Sequence, residues 1–457
     1  MRDLVFLGFL AAFIALGFRR PFLFVLVYAY IDIVSPQRLT YYLLNSIPIS
    51  MIAAALAILG WLVADNKANA RFAPRQGLII LLLVYCGITM TWSNFPIDAA
   101  QKWDWVWKGL AFSAFLPLTL HTKLRIEALI LTMILCAGSI IIVGGLKTAT
   151  SGGGYGVLNL MVSNNSGLYE SSIISTVAIA IIPLILYMMK HGTIFPPEWR
   201  VTLFGLALCF ACLLMPIGTE ARTGLVCIGV LAVLLLRFSK RRMVWIGLAG
   251  LAGLIALPLL PSSFTQRMDT IKEYKADESA GTRLAVWAWT WEYAKDHPMG
   301  GGFHSYRENR ISFQTVKKTE SGGNTTVEAK QETDQGRAFH SAYFEMLGEQ
   351  GYPGLALWLL IQAIGLFRME MLRRRYKDKT ADHQRWIAPL AIALQHTQII
   401  YLVGSLFVGI AFQPFIWMLI AIQIGFDTYV TRRAREAAFV PVAKRARTTA
   451  LPQVSES

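Results

Sequence analysis

The sequence predicts an all-α polytopic membrane protein, a helical bundle of about 12 to 13 transmembrane helices with one large outward loop region that contains short helices. Three observations predict this class. Of the 457 residues, 55% are hydrophobic and only 16% are charged, which is far more apolar than a soluble domain requires. Apolar runs of about 15 to 20 residues recur along almost the whole chain, and each can cross a bilayer core as a helix. Basic residues lie mainly in alternate gaps between these runs.

Each apolar run is interpreted as one helix. The first run is expected to be a retained helix, because no small-residue cleavage site follows it and Arg19, Arg20 and Pro21 lead straight into the next run. The first two runs are short, which leaves the helix count at about 12 or 13. The runs lie near residues 4–18, 21–34, 47–63, 77–92, 106–120, 127–146, 171–190, 201–218, 222–237, 243–261, 351–370, 387–404 and 409–427.

Three regions follow from this pattern. Residues 1–190 form an amino-terminal transmembrane region, residues 191–430 form a transmembrane core, and residues 431–457 form a basic tail that we expect to be disordered. The core contains the loop 262–339, which at about 78 residues is too long for a simple connector and is expected to be functional. Within the loop, residues 282–297 predict a helix, and the polar segment 317–336 predicts no regular structure.

The net charge of +15 is explained by membrane topology. One alternating set of gaps, with the tail, contains 26 of the 43 basic residues, whereas the short loops of the other set and the amino terminus contain four. The positive-inside rule makes the first set cytoplasmic, so the tail is cytoplasmic and the loop 262–339 faces outward. The 11 basic and 11 acidic residues of that loop cancel, and no nucleic-acid partner is indicated.

Two smaller features have ordinary interpretations. All five cysteines lie in apolar runs, so no disulfide framework is predicted, and Cys209 and Cys212 are interpreted as small buried side chains. Lys102 borders tryptophans at positions 103, 105 and 107 and is interpreted as an interfacial lysine beside an aromatic belt.

A histidine marks the end of the outward loop. In the stretch HSAYFEMLGEQGYPG, Ser341 can cap a helix, and Gly351 and Gly354, with Pro353, interrupt that helix before the next apolar run. His340 therefore lies at a helix start near the outer interface. An imidazole with an unperturbed pKa of about 6.5 can accept a proton from a hydroxyl near neutral pH.

These residues resemble a known family. His340 and Ser341, followed at fixed spacing by Gly351 and Gly354, match the H-[NSQ]-x9-G-x2-[GTY] signature of the O-antigen ligase and polymerase superfamily. The stretch GTEARTGL around Arg222 resembles the arginine-bearing helix of the ligases, although Glu220 departs from it. A second stretch, TRLAVWAWTWEYAKDHPMGGG, contains Arg283 and resembles their R-x3-W…P-x-G-x-G element. The amino-terminal region resembles the branch of O-glycosylation ligases associated with exosortase-type systems.

The resemblance implies an inverting glycosyltransferase. Its donor would be a glycan on a polyprenyl diphosphate carrier, and its acceptor would be a hydroxyl of a protein or lipid. The enzyme would lie among the lipids of a bacterial inner membrane, with its outward loop in the periplasm. His340 would be the catalytic base. Arg222 and Arg283 would bind the diphosphate, because a guanidinium bonds phosphate through two N–H groups at once. Ser341, Gly351 and Gly354 would be structural. The sequence contains neither a P-loop nor an Asp-x-Asp pair, so no metal or cofactor is expected.

Alternatives remain open at this stage. Arg222 can instead snorkel to the interface or pair with Glu220, and Arg283 can be a solvated loop charge. An O-antigen or exopolysaccharide polymerase has the same donor and topology but uses a lipid-linked chain as its acceptor. A transporter or flippase would show paired interrupted helices and internal repeats, neither of which the sequence contains.

Overall fold

The computed structural model of the protein describes residues 2–438, apart from 41–43, 45–46, 68–69, 152–167, 238–240, 245–246, 248–277 and 322–323. In this part of the chain the architecture is helical, with one two-stranded hairpin. Almost all of the predicted run at 243–261 lies outside the described residues, as does the tail beyond residue 438. The last helix ends at Ala438, so its final turns extend past the predicted boundary at residue 430.

The helices follow the apolar runs of the sequence. In the amino-terminal region they are α1 (Arg2–Arg19), α2 (Phe22–Val34), α3 (Pro36–Leu39), α4 (Ile49–Ala64), α5 (Pro74–Thr89), α6 (Pro96–Phe115), α7 (Lys123–Ser151) and α8 (Ser171–His191). The later ones are α9 (Trp199–Gly218), α10 (Arg222–Leu236), α11 (Glu278–Asp296), α12 (Ala342–Tyr376), α13 (Ile387–Gly404) and α14 (Pro414–Ala438). Short 3-10 turns lie at Met90–Trp92, Leu116–Thr119 and Ser305–Glu308.

Length and composition identify the membrane-spanning helices. Seven of the described helices are long and apolar enough to cross a membrane, namely α5 with the 3-10 turn that follows it, α7, α8, α9, α12, α13 and α14. Helices α2, α4 and α10 are shorter but also apolar. Twelve of the thirteen predicted runs coincide with helices in the described residues. The predicted class of a helical, multi-pass membrane protein is therefore confirmed.

Helix α8 forms the centre of the bundle. In its most apolar 18-residue stretch, 89% of the residues are buried. The helix packs against α7, α9, α10 and α13. The sequence explains this position, because residues 173–189 are apolar on every helical face, and a helix without a polar face is stable only when neighbours surround it. In the corresponding stretch of α9 only 39% of the residues are buried, and Leu203 and Phe210 are exposed. The outer face of α9 is therefore suited to lipid.

The gaps that the charge pattern assigned to one side meet at one end of the bundle. A guanidinium nitrogen of Arg432, on α14, donates to the carbonyl of His121 at 2.7 Å, and Arg125 forms a hydrogen bond of 2.9 Å with Asp65. We call this the basic end. Helix α11, the hairpin and the first turns of α12 lie at the opposite end, which we call the loop end. The gaps that are rich in basic residues therefore lie at the same end of the folded bundle.

The hairpin is the part of the loop that the sequence did not predict. Strand β1 (Arg310–Ser321) pairs antiparallel with β2 (Asn324–Gln335), in a register from Arg310 opposite Gln335 to Ser321 opposite Asn324. Asn309 fixes its base, because the buried side-chain amide donates to the carbonyl of Arg337 at 2.6 Å and accepts from the Arg337 backbone amide at 3.0 Å. Backbone pairing therefore orders a polar segment for which we had expected no regular structure.

Candidate active site

His340 lies between the hairpin and α12 in a left-handed backbone conformation, with φ of +48°. The next residue, Ser341, occupies the N-cap position of α12, but its hydroxyl forms no capping hydrogen bond, contrary to the expected cap. The start of the helix is fixed from outside instead, since the backbone amide of Ala342 donates to the carbonyl of Ser405 at 2.8 Å. The helix start thus stays attached to α13 while the His340 side chain remains exposed.

Helix α11 packs beside this histidine. The indole N–H of Trp287 donates to the carbonyl of Phe339 at 2.9 Å, and its ring stacks on Phe344 with centroids 5.1 Å apart. Arg283 precedes Trp287 by four residues, so the two side chains share one face of α11. The face of α11 that carries Arg283 is therefore fixed against the segment on either side of His340.

The electrostatics of the site agree with this packing. The pKa of His340 is lowered from its ordinary value, first because the surrounding protein removes part of the hydration of the ring and then because Arg283 and Arg337 place positive charge nearby. The Arg337 guanidinium also forms an ion pair with Asp334. A lowered pKa keeps the His340 imidazole neutral at neutral pH, which is the form that can accept a proton.

A carboxylate that the sequence analysis did not select lies beside Arg283. Glu170 directly precedes α8, and burial raises its pKa while the positive charge of Arg283 opposes that change. Arg283 therefore influences both Glu170 and His340, residues from segments far apart in sequence. Only the fold brings Glu170 to this place, because its loop contains no motif.

Arg222 begins α10 at the same end of the bundle. It follows Glu220, which adopts a φ of +52°, and its side chain is partly buried. Helix α10 packs on α8 and α13, and the thiol of Cys227 lies 3.8 Å from the carbonyl of Ile400 on α13. The residue after α13, Ser405, accepts a hydrogen bond from the first amide of α12, so Arg222 lies on one helix that packs against α13 and His340 precedes another. These contacts bring Arg222 to the loop end.

A buried ionic cluster lies behind His340. The amine of Lys102, on α6, is 2.6 Å from Glu345 and 2.7 Å from Glu349, and all three side chains are at most 10% exposed. Glu345 also accepts from the amide of Ala411 at 3.0 Å, and Glu349 accepts from the amide of His304 at 3.0 Å. The interpretation of Lys102 as an interfacial lysine is therefore wrong, because it is paired with two acids of α12 inside the protein.

The glycine-rich turn of the loop fits against a kink in α12. Gly351 has φ of +64° and ψ of −167°, and a Cβ there would lie 2.3 Å from the carbonyl oxygen of Pro298. Gly300 has φ of +85°, and a Cβ there would lie 2.5 Å from the carbonyl oxygen of Glu349. Only glycine allows this close approach of two backbones at these conformations. The kink stands where the sequence predicted that the helix is interrupted.

The last glycine of the signature has a similar role. A Cβ on Gly354 would lie 2.3 Å from the Cβ of Gln350 and 3.3 Å from the ring of Tyr85. The Tyr85 hydroxyl in turn lies 2.8 Å from the carbonyl oxygen of Met299, within the glycine-rich turn. Gly354 therefore leaves room for the α5 tyrosine that connects the turn to the bundle.

A second histidine lies close to the ionic cluster. The pKa of His304 is lowered to about 4 by burial and by the positive charges of Lys102 and Arg307. Its Nδ1 lies 3.1 Å from the hydroxyl of Tyr306, and its φ is +61°. A ring this difficult to protonate stays neutral over the physiological range. Among the described residues, no three His, Cys, Asp or Glu side chains come together in a way that could hold a metal ion.

Fold and site together define a multi-pass membrane protein in which a loop histidine, two arginines and the partly buried Glu170 lie at one end of the bundle. Residues 206–359 match the family described as O-antigen ligase, and this part of the chain is a domain of that family. Residues 1–193 match a family of unknown function, DUF5935. No curated protein matches the chain. The resemblance to the ligase and polymerase superfamily is thus confirmed for residues 206–359, while the branch associated with exosortase-type systems stays a prediction.

The matched segment includes every site residue that the sequence predicted. Arg222, Arg283, His340, Ser341 and Gly351 all lie within residues 206–359, and Gly354 does as well. The family supports glycosyl transfer of the ligase or polymerase type as the general function, with a glycan donor, an acceptor and membrane lipids as partners.

Proposed function

We propose that the protein transfers a glycan from a polyprenyl diphosphate carrier to an acceptor hydroxyl of a protein or lipid at the periplasmic face of the bacterial inner membrane. The observation that carries this proposal is the packing of the α11 face that carries Arg283 against the segment around His340, within the O-antigen ligase domain. A neutral base beside a permanent cation is the arrangement that this reaction needs. The base accepts the acceptor's proton, while the cation stabilises the leaving diphosphate.

The reaction is a single displacement. The acceptor oxygen gives its proton to His340 and forms a bond with the anomeric carbon, while the bond from that carbon to the diphosphate oxygen breaks. The electron pair of that bond leaves with the polyprenyl diphosphate, and the anomeric configuration is inverted. A positioned general base contributes about 10²- to 10⁴-fold. Arg222 and Arg283 stabilise the charge that develops on the diphosphate, without a metal ion.

The orientation follows from the two ends of the bundle. We propose that the basic end is cytoplasmic and the loop end periplasmic, because positively charged gaps remain on the cytoplasmic side. The site then faces a compartment in which the lipid-linked donor supplies the energy for transfer. A green fluorescent protein fused after the tail should fluoresce, whereas a secreted alkaline phosphatase fused there should be inactive. The opposite pair of results would reverse the orientation and refute the location of the site.

The division of the chain is also a proposal. One family match ends at residue 193 and the other begins at residue 206, which supports a division near the predicted boundary at residue 190. We propose that residues 191–430 form the catalytic core and that residues 1–190 form the amino-terminal transmembrane region, which contributes Lys102 and Glu170 near the site. Glu220, the departure from the ligase pattern, leaves the acceptor's identity open.

The catalytic base is tested by replacing His340 with alanine. Cells that lack the gene are complemented with the wild type or the variant, and their outer-surface glycoconjugates are analysed by mass. We expect transfer to fall by at least about 100-fold, since the base is lost. The matched control is His297→Ala, which removes an exposed loop histidine outside the site and should leave transfer unchanged. Normal transfer by a correctly inserted His340→Ala protein would refute the assigned role.

The role of Arg222 is tested by a conservative change. Arg222→Lys retains the positive charge but removes the planar fork that bonds two phosphate oxygens, so we expect a strong loss of transfer. The control is Arg200→Lys, an equal change at an exposed position near the start of α9 at the basic end. Equal activity of the two variants would remove Arg222 from the binding site.

Ligase and polymerase activities differ in their product. With the same donor, a ligase yields a glycan attached to a protein or to a different lipid, whereas a polymerase yields longer chains on the original carrier. Mass analysis of outer-surface glycoconjugates, with and without the gene, distinguishes them. Movement of the glycan without covalent change would favour a transporter or flippase.

A further inference from the structure

A cavity of about 900 Å³ opens at the basic end of the bundle, distant from the candidate active site. The ends of α7, α12, α13 and α14 form its walls. Four basic side chains line it, namely Lys123, Arg375, Lys379 and Arg433. Such a concentration of positive charge in a concave site is suited to an anion.

The acids of the cavity are already engaged. Asp382 forms an ion pair with Arg385 at 3.2 Å, and Glu436 lies 3.4 Å from two arginines of α14. By contrast, Arg375 and Lys379 form no ion pair within the described residues. The lining acids therefore do not neutralise these two cations, which remain available to a ligand.

The rest of the lining indicates the source of the anion. The rings of Trp386 and Tyr429 lie 6.0 Å apart at the cavity, and the amine of Lys123 is 5.0 Å from the Trp386 ring. Apolar side chains, among them Ile387 and Val430, complete the wall at the ends of α13 and α14. Tryptophan and tyrosine are typical of the headgroup layer of a membrane. A ligand that fits this wall has both a phosphate and apolar chains.

We propose that this cavity binds the headgroup of an anionic phospholipid, with its phosphate near Arg375 and Lys379 and the beginning of its acyl chains against Tyr429 and Val430. The position of the cavity at the ends of membrane-spanning helices favours a lipid over a free phosphate, which would need no apolar wall. Basic pockets between transmembrane helices commonly bind such headgroups. The proposal does not depend on the glycan-transfer activity.

The test measures lipid affinity by native mass spectrometry of the full-length protein in detergent. Phosphatidylglycerol and phosphatidylcholine are titrated separately, and we expect tighter binding of phosphatidylglycerol. The double variant Arg375→Gln with Lys379→Gln should bind phosphatidylglycerol about 25-fold more weakly, at about fivefold for each basic residue near an anionic headgroup. Arg375→Lys with Lys379→Arg keeps both charges and should retain the affinity.

The chain offers a matched control at the same helix end. Arg374 and Lys377 lie outside the cavity, with side chains 71% and 58% exposed, so Arg374→Gln with Lys377→Gln removes the same net charge. This variant should bind phosphatidylglycerol like the wild type. Equal losses in the two double variants would overturn the site. Displacement of the lipid by an equal concentration of inorganic phosphate would show a site for soluble anions and overturn the lipid assignment.

Discussion

Replacement of Lys102 by methionine tests the most deeply buried charges of the site. The amine contacts Glu345 at 2.6 Å and Glu349 at 2.7 Å, and these acid side chains are 8% and 1% exposed. Once the amine is removed, both carboxylates lose a partner in a place where water cannot replace it. Removal of one member of a buried ion pair costs about 3–5 kcal/mol. We therefore expect the unfolding midpoint to fall by roughly 3–5 °C.

The cysteines of the protein provide the assay. Cys86, Cys136, Cys212 and Cys227 are buried, and Cys209 is only partly accessible, all within helices of the bundle. A thiol-reactive fluorophore therefore reacts mainly when the bundle opens, and its fluorescence during heating reports unfolding.

The matched control is Lys108→Met on the same helix. Lys108 pairs with Asp104, whose side chain is 67% exposed, so water replaces the lost contact and the expected cost is below about 1 kcal/mol. Neutralising both acids as well, in Lys102→Met with Glu345→Gln and Glu349→Gln, should recover most of the loss. An unfolding midpoint for Lys102→Met equal to that of Lys108→Met would refute the reasoning.

Two further predictions concern the kink and the histidine. Gly351→Ala must accept a φ of +64° and a Cβ 2.3 Å from the carbonyl oxygen of Pro298, so we expect a cost of at least about 1–3 kcal/mol in the same assay, whereas Gly109→Ala, where a Cβ meets nothing within 4 Å, should be neutral. Arg337→Gln removes a positive charge that lowers the pKa of His340, so that pKa should rise and the acid limb of the transfer rate should move to higher pH; an unmoved limb would show that His340 does not set the profile.

The parts of the fold that depend on local sequence could be predicted. Hydrophobicity located the helices because, in a membrane, each apolar run must satisfy its own backbone hydrogen bonds. Gly351 and Pro353 predicted the interruption in α12 because glycine tolerates a positive φ and proline lacks an amide hydrogen. The alternation of basic gaps predicted which loops meet at one end.

The parts that depend on distant contacts could not be predicted. Lys102 pairs with residues 243 and 247 positions later in the chain, and no local pattern indicates such partners. Glu170 has no motif, and only the fold places it beside Arg283. The hairpin was missed because its strands are polar and lack a sustained alternation of apolar and polar residues. Backbone pairing orders the hairpin instead, and the side chain of Asn309 fixes its base.

The two sequence elements that resemble the ligases are halves of one structural unit. In an uninterrupted helix, the carbonyls of Gly348 and Glu349 would accept from residues 352 and 353. Here the Tyr352 amide donates to the carbonyl of Pro298 instead, and Pro353 has no amide hydrogen to donate. The amides of Gly301 and Gly302 take their places at 3.0 and 2.9 Å.

The glycine-rich turn therefore completes the hydrogen bonds of the kinked helix, and the helix in turn fixes the turn. The kink and the turn depend on each other. Without the turn, the kink would leave buried carbonyls without hydrogen-bond donors, and without the kinked helix the turn would lose these hydrogen bonds. The same short helix begins just after His340 and contains both acids that bind Lys102. The spacing between the histidine and Gly351 is thus the length of helix that connects the exposed imidazole to this junction, and a change in that length would rotate the acids away from Lys102.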